Sequence, residues 1–133
     1  MKVNFERWGE TILIRPDPQV VWKRIREQVF LSTALHEVGH TLGLRHNFRS
    51  STTVTEAQLR DANYTARHGV SNSVMDYNAL NIPLTNERVA DYHMVALGNY
   101  DFWAIEYGYR ELAPEVEAAE LSRIAGLSDR DPT

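Results

Sequence analysis

The sequence predicts a mainly helical fold built on one long helix, with little or no sheet. Asp17 and Pro18 form a typical helix start, with Asp17 as the N-cap and Pro18 at the first helical position. From there, apolar residues recur at helical spacing without a break as far as Leu44. Ahead of the helix, residues 10–15 are β-prone and stop at Pro16, which predicts one short strand. Because a lone strand leaves its backbone groups unpaired, we expect its partner to come from another chain or from a missing part of this one.

Length and composition are those of one globular domain. The 133 residues suffice to bury a core without disulfides, so we expect a single domain over residues 1–133. The net charge of -4 and the absence of a basic stripe argue against a nucleic-acid partner. No apolar run approaches the length of a membrane span. There are no cysteines, so a metal site in this chain must rely on histidine.

The two faces of the predicted helix differ along its length. One stripe carries apolar residues and then histidines: Trp22, Ile25, Val29, Thr33, His36 and His40. The opposite face is charged near the start and becomes apolar later, at Leu31, Leu35, Val38 and Leu42. We therefore expect a helix that begins half exposed and ends buried on both sides, which would hold its side chains rigidly.

Residues 36–47 contain the pattern H-E-x-x-H-x-x-G-x-x-H. On a helix, His36 and His40 stand one turn apart on the same face, so both imidazoles can reach one metal ion. Gly43 lets the helix stop and the chain turn back, so that His46 supplies a third nitrogen. Three neutral imidazoles leave the fourth tetrahedral position of zinc open for water, as in catalytic zinc sites. Glu37 follows the first ligand and is placed to accept a proton from that water.

The five-residue pattern H-E-x-x-H by itself also occurs by chance on amphipathic helices. Here Gly43 and His46 stand at the additional offsets, and each has its own mechanical role, so coincidence is disfavoured. We predict one catalytic Zn²⁺ ion on His36, His40 and His46, with Glu37 as general base. No acidic loop with calcium spacing is present.

A polar loop and a short helix are predicted to follow the histidine motif. Residues 47–54 form either a rim or specificity loop or a plain surface connection. Thr55–Gln58 fits a capping box that opens a helix to about Arg67, which Gly69 would end. His68 lies at the end of that helix, where a cation suits the helix dipole, and we favour this role over metal binding.

The C-terminal part is predicted to contain two or three more helices. Residues 85–88 resemble a helix start in an ambiguous stretch, in which we expect Val89, Tyr92, His93 and Leu97 to face inward and His93 to be structural. Residues 102–107 predict a short helix ended by Gly108, whose aromatic side chains we expect in the core or, in part, at an inter-domain face. Pro114 predicts a last helix through Ala125, stopped by Gly126, with an apolar side formed by Val116, Leu121 and Ile124.

The histidine motif resembles that of the metzincin zinc endopeptidases, which also carry a methionine turn beneath the metal. Residues 73–77, Ser-Val-Met-Asp-Tyr, match the S-x-M-x-Y form of that turn. The strings HTLGLRHNF, SVMDYN and YDFWAIEYGYR are similar to large multidomain bacterial proteins described as zinc-dependent metalloproteases, and this resemblance covers most of residues 30–112. It implies a zincin-like α+β core with a lead segment 1–16, an active-site helix with the third ligand in 17–46, and a C-terminal subdomain 47–133.

Several residues acquire expected roles from this resemblance. Met75 would form an apolar floor under the metal, because a thioether is a weak partner for zinc among three imidazoles. Tyr77 corresponds to the tyrosine that in astacin-like and serralysin-like enzymes ligates zinc and stabilises the oxyanion, the alternative being a core tyrosine with a bonded hydroxyl. Asp76 is expected to stabilise the turn as an acceptor. Residues 78–83 would line the pocket for the substrate residue after the cleaved bond, with an apolar wall formed by Ala79, Leu80 and Ile82.

The function implied by the resemblance is peptide-bond hydrolysis by a zinc endopeptidase, with a protein or peptide as substrate. Two alternatives stay open, a zinc-binding module without activity of its own and an amidohydrolase acting on a non-peptide substrate. Metzincins place a twisted sheet and a backing helix ahead of the active-site helix, and 35 residues do not hold both. We therefore expect this chain to be a piece of a larger parent polypeptide. The first residues contain no apolar segment of signal-peptide length, so either the protein is cytoplasmic or this chain is an excised piece, and we favour the excised piece. This chain does not reveal the location, and we expect the parent protein to be periplasmic, outer-membrane-associated or secreted.

Overall fold

A computed structural model of the protein describes residues 3–8, 11–82 and 90–129. Strand β1, Val3–Trp8, pairs antiparallel with β2, Thr11–Pro16, so that Val3 lies opposite Pro16 and Trp8 opposite Thr11. The predicted strand is therefore present, but the expectation that its partner comes from elsewhere is wrong. The partner is the segment just before it, because antiparallel neighbours in sequence need only a very short connection.

Helix α1, Pro18–Thr41, is the long helix that the sequence predicts. The Asp17 carboxylate accepts a hydrogen bond from the Gln19 backbone N–H at 2.9 Å, which confirms Asp17 as the N-cap. The helix ends at Thr41, earlier than the apolar pattern indicates. Gly43 N–H donates to His40 O and Leu44 N–H donates to Gly39 O, each at 3.0 Å, and this pair of bonds closes a Schellman motif.

Burial along α1 is confined to one side. The buried residues of the helix share one face, and they are Gln28, Ser32, His36 and Gly39. Most of the side expected to become buried is open, since Val38 is 54% exposed and Leu31 and Leu42 are exposed as well, whereas Leu35 is partly buried against the core. The expectation of burial on both sides near the end is therefore wrong. Within the described residues, neighbouring segments cover only the face that carries His36.

Two short helices replace the single one predicted after the loop. Residues 50–53 form a 3-10 turn, and α2, Glu56–Arg60, begins with the predicted capping box between Thr55 and Gln58. Asp61 then breaks the helix with extended backbone and caps α3, Ala62–His68, accepting from Asn63 N–H at 2.8 Å. Gly69 ends α3 with φ +73°, as predicted.

Helices α4, Asn99–Tyr109, and α5, Glu117–Ala125, complete the described chain, followed by a 3-10 turn at Gly126–Asp129. Gly108 lies inside α4 and does not stop it. Trp103 donates from Nε1 to Ile124 O at 2.8 Å and joins α4 to α5, whereas Phe102 is 61% exposed and Tyr107 is exposed too. Of the three rings in residues 102–107, only that of Trp103 is partly buried, so the expectation of an aromatic core is wrong for Phe102 and Tyr107. The alternative of an inter-domain face for the exposed rings stays a prediction. The predicted helix start at residues 85–88 and Val89 lie outside the described residues.

The apolar core lies where the C-terminal half of α1 meets residues 70–75. It consists of Val70, Val74, Met75 and Met94, with Leu35, Leu44 and Leu59 packed against it. Beside it, the buried Asp91 carboxylate accepts from Gln28 and Arg24 on α1 at 2.6 and 2.9 Å and from Thr65 on α3 at 2.7 Å. These bonds tie the start of α1 to the C-terminal part. No helix in the described ranges is long and apolar enough to cross a membrane.

Candidate metal centre

The three histidines of the sequence motif converge on one point. The ring centroids lie 4.7 Å apart for His36 and His40, 5.1 Å for His36 and His46, and 4.8 Å for His40 and His46. One nitrogen from each ring lies within 4.8 Å of the others, an arrangement able to hold a metal ion. The Nε2 atoms of His40 and His46 are 3.1 Å apart. Two nitrogens on tetrahedral zinc are separated by about 3.3 Å, so the spacing fits zinc.

Gly43 delivers His46 to this point. Its φ of +81° belongs to the left-handed region, which reverses the chain after α1 without a steric penalty for glycine. The returning segment is then fixed by a hydrogen bond from Asn47 N–H to Met75 O at 3.0 Å. The third histidine is thus held from both ends, by the helix stop and by the methionine segment, defined here as residues 73–77.

Backbone carbonyls set the tautomers of the two helical histidines. Nδ1 of His36 lies 2.8 Å from Val74 O, and Nδ1 of His40 lies 3.0 Å from Leu44 O. Because a carbonyl oxygen only accepts, each Nδ1 must carry the proton and donate it. Each Nε2 is then left with a free lone pair, which is the form that ligates zinc.

Electrostatics favour a neutral imidazole at His46. The pKa of His46 lies below its ordinary value, first because its surroundings remove solvent from the ring, and next because His40 and His36 would repel a positive charge. Glu37 acts in the opposite direction and raises this pKa. The role of Glu37 as general base stays a prediction. A neutral ring is the metal-binding form.

Met75 packs against α1 between the two helical histidines, and its role as the floor of the metal centre stays a prediction. Its side chain is fully buried and lies against α1 at Gly39, where an added Cβ would collide with the Met75 sulfur. A glycine between the two helical histidines thus allows the methionine segment to approach the helix backbone. Asp76 accepts from Ser51 N–H at 2.7 Å and from Ser71 Oγ at 3.4 Å, which matches its predicted role as an acceptor.

Tyr77 lies over the open side of the histidines. Its hydroxyl is 2.9 Å from His46 Nε2, and its ring stacks on His36 with centroids 5.4 Å apart. The side chain is 64% exposed, so the alternative of a core tyrosine is wrong. Because its hydroxyl reaches the same nitrogen that points into the cluster, it is within reach of a metal or of a substrate there.

Phe48 is part of the site and was not predicted. Its exposed ring lies 5.7 Å from that of His46 and 5.6 Å from that of Tyr77. The sequence shows only a polar loop with one aromatic residue, and nothing in it reveals that the ring joins the cluster. The structure therefore favours the rim interpretation for the beginning of residues 47–54.

The predicted pocket residues lie on a segment anchored by Asn81. Asn81 is buried, accepts from Arg60 Nη1 at 3.0 Å, and donates to Leu59 O and Asp91 O at 3.0 and 2.9 Å. The flanking side chains of Ala79, Leu80 and Ile82 are exposed. Their role as a substrate wall stays a prediction, and Pro83 lies outside the described residues.

The remaining histidines lie away from the three-histidine cluster. The His68 ring contacts that of Tyr64, with centroids 4.8 Å apart. His93 is partly buried, its pKa is lowered by that burial, and its Nδ1 accepts from Met94 N–H at 3.0 Å. Among the described residues, neither belongs to the group able to hold a metal.

Comparison with known proteins gives one match. Residues 19–133 match the model of a protein family described as Met-zincin. No curated protein and no solved structure matches the chain. The family match spans the active-site helix, the third histidine, the methionine segment and both C-terminal helices, well over half of the chain. The chain therefore belongs to the Met-zincin family and is a metzincin-type zinc metallopeptidase domain.

Proposed function

We propose that this domain is a zinc-dependent endopeptidase that hydrolyses peptide bonds in a protein or peptide substrate. The observation that carries the proposal is the convergence of three imidazoles on one point. In His36 and His40, Nδ1 is occupied by a backbone carbonyl, so Nε2 is the nitrogen left for the metal. His36, His40 and His46 would hold the ion. Zinc in such a site supplies a Lewis acid and lowers the pKa of water toward neutrality.

Glu37 is the proposed general base. It directly follows His36 on α1, as in the H-E-x-x-H pattern. The carboxylate takes a proton from the attacking water and later delivers it to the leaving amine. Since Glu37 is exposed, it is accessible to water and to a substrate.

Tyr77 is the proposed oxyanion donor. Its hydroxyl stands at the open side of the histidines and can donate to the oxygen that becomes negative in the transition state. Phe48 packs near both His46 and Tyr77, which supports the position of the Tyr77 ring and offers an apolar surface to a substrate. Leu80 and Ile82 are exposed and offer further apolar surface on a firmly held segment.

The open face of α1 favours a second candidate, a zinc-binding module that is inert by itself. Leu31, Val38 and Leu42 are exposed, so the helix that carries the ligands is covered on one side only in the described residues. If the substrate cleft requires a further segment packed on that face, the domain alone would bind zinc but would not hold a substrate. An amidohydrolase would share the chemistry and differ only in substrate.

The test is digestion of a peptide library by the purified chain loaded with zinc. We expect cleavage that a chelator stops and added zinc restores, and Glu37→Ala should keep zinc while losing turnover. Cleavage by Glu37→Ala at the parent rate would contradict the assignment of the base. A folded chain that binds zinc and cleaves no peptide would favour the inert module, and cleavage of non-peptide amides alone would favour the amidohydrolase.

A further inference from the structure

The carboxylate of Asp101, on α4, is directed at the methionine segment. Asp101 is 2% exposed, and its two oxygens accept three hydrogen bonds. Oδ1 accepts from Ser73 Oγ at 2.6 Å, and Oδ2 accepts from the backbone N–H groups of Val74 and Gly98, each at 2.9 Å. These bonds hold the start of α4 against the methionine segment.

Val74 connects this carboxylate to a histidine of the metal centre. Its N–H donates to Asp101, and its carbonyl accepts from Nδ1 of His36. Ser73 adds a second connection, because its Oγ both donates to Asp101 and accepts from Met75 N–H at 2.9 Å. The carboxylate therefore fixes the backbone on which the tautomer of His36 and the position of Met75 both depend.

The start of α4 also packs closely against the chain just before the methionine segment. A Cβ at Gly98 would collide with the backbone of Asn72, and Tyr100 N–H donates to Asn72 O at 3.1 Å. A shift of α4 would therefore move the methionine segment with it. Since hydrogen bonds to an ionised acceptor are shorter and stronger than neutral ones, a buried carboxylate is a suitable group for holding a backbone segment.

We propose that Asp101 is a positioning residue of the zinc centre, holding the Val74 carbonyl where it keeps Nδ1 of His36 protonated and Nε2 directed to the metal. The proposal rests on the zinc centre of the proposed function. Asp101 does not touch the ligand itself and acts through Val74. The direct partner of His36 is the Val74 carbonyl, and partners of a ligating histidine typically contribute about 10- to 100-fold to metal affinity. Asp101 acts one bond further away, so its contribution should reach at most that range and is measurable in zinc binding without any activity assay.

Asp91 provides a matched control. It is also a buried carboxylate with several hydrogen bonds, accepting from Arg24, Gln28 and Thr65. Its partners hold α1 against α3, and the bonds described for it reach neither the histidines nor their carbonyl partners. Loss of Asp91 should therefore weaken the fold, whereas loss of Asp101 should weaken the fold and the metal site.

The experiment makes two measurements, zinc affinity by competition with a chromophoric chelator and the visible spectrum of the Co²⁺-substituted domain. Both are made on the parent and on four variants: Asp101→Ala, Asp101→Asn, Asp91→Ala and Asp91→Asn. Each affinity is corrected for the folded fraction found by denaturation. We expect Asp101→Ala to bind zinc more weakly, with the roughly 10- to 100-fold loss typical for a direct partner of a ligating histidine as the upper range. Asp101→Asn keeps one acceptor oxygen without the charge and should lie between parent and alanine variant. The cobalt spectrum should change in the Asp101 variants and stay as in the parent in the Asp91 variants.

Equal zinc affinity and equal cobalt spectra in Asp101→Asn and the parent would overturn the proposal, and so would equal losses in the Asp91 and Asp101 variants. If an alanine variant fails to fold, the two asparagine variants decide the question by the same comparison. If the parent itself binds no zinc, the proposed function fails together with this inference. If the parent binds zinc and the Asp101 variants bind it equally, only this inference fails.

Discussion

Replacement of Gly43 by alanine tests the turn that brings the third histidine to the metal. Gly43 has φ +81°, and an added Cβ would meet no atom of the described residues within 4 Å. The cost of Gly43→Ala therefore comes from the backbone alone, since neighbours do not obstruct the new methyl group. Forcing an L-residue into the left-handed region costs about 1–2 kcal/mol, and we expect the free energy of unfolding to fall by that amount.

Gly108 offers a control with an ordinary helical backbone conformation. It also has open space around its Cβ position, but it lies within α4 and does not have a positive φ. Alanine there should stabilise the helix by about 0.5–1 kcal/mol. The two variants should therefore differ by about 1.5–3 kcal/mol, which is roughly 10- to 150-fold in the unfolding equilibrium constant.

The assay is urea unfolding of the metal-free domain, followed by chelator competition for zinc. We expect Gly43→Ala to be the less stable variant and to bind zinc more weakly, because relief of the strained turn moves His46 away from His36 and His40. Gly108→Ala should bind zinc as the parent does. If Gly43→Ala were as stable as Gly108→Ala, the turn would not require glycine, and the argument from its backbone angle would be refuted.

Two further predictions concern single side chains. Tyr77→Phe removes the hydroxyl near His46. As for the loss of an oxyanion donor, peptide turnover should fall by about 10²-fold with little change in zinc affinity. Steady-state kinetics with Tyr64→Phe as control would show whether an unrelated hydroxyl matters as much. Burial lowers the pKa of His93 below 6.5 in the folded domain. The unfolded chain therefore binds more protons than the folded one, and the metal-free domain should lose stability as the pH falls through and below that value. His93→Gln should reduce this loss in unfolding curves measured across that range, and an unchanged loss would contradict the assignment.

Features encoded by neighbouring residues were predictable from the sequence. The Asp17 cap, the Thr55–Gln58 capping box and the stop at Gly69 each depend on a few adjacent residues, and the structure contains all three. The metal ligands belong to the same class, because the helical spacing of His36 and His40 and the turn at Gly43 are local properties. Such features do not require knowledge of what packs against them.

Features that depend on distant contacts were not predictable. Burial on one face of α1 follows from which segments cover it, and no periodic pattern states that Val38 stays exposed. In the sequence, Asp101 is an ordinary residue near a helix start, and only the fold shows that its carboxylate accepts a hydrogen bond from Val74 N–H. Asp61 suits both the end of one helix and the start of the next, so the break between α2 and α3 was not evident either.

The closeness of the three histidines in sequence also bears on how strongly zinc stabilises this domain. The ligands lie between residues 36 and 46, whereas the carbonyl of Val74 and the carboxylate of Asp101 come from far along the chain. A denatured chain keeps the ligands near one another and retains some affinity for the ion. Because stabilisation depends on the difference between native and denatured binding, we expect zinc to raise the melting temperature by less than its native-state affinity alone implies.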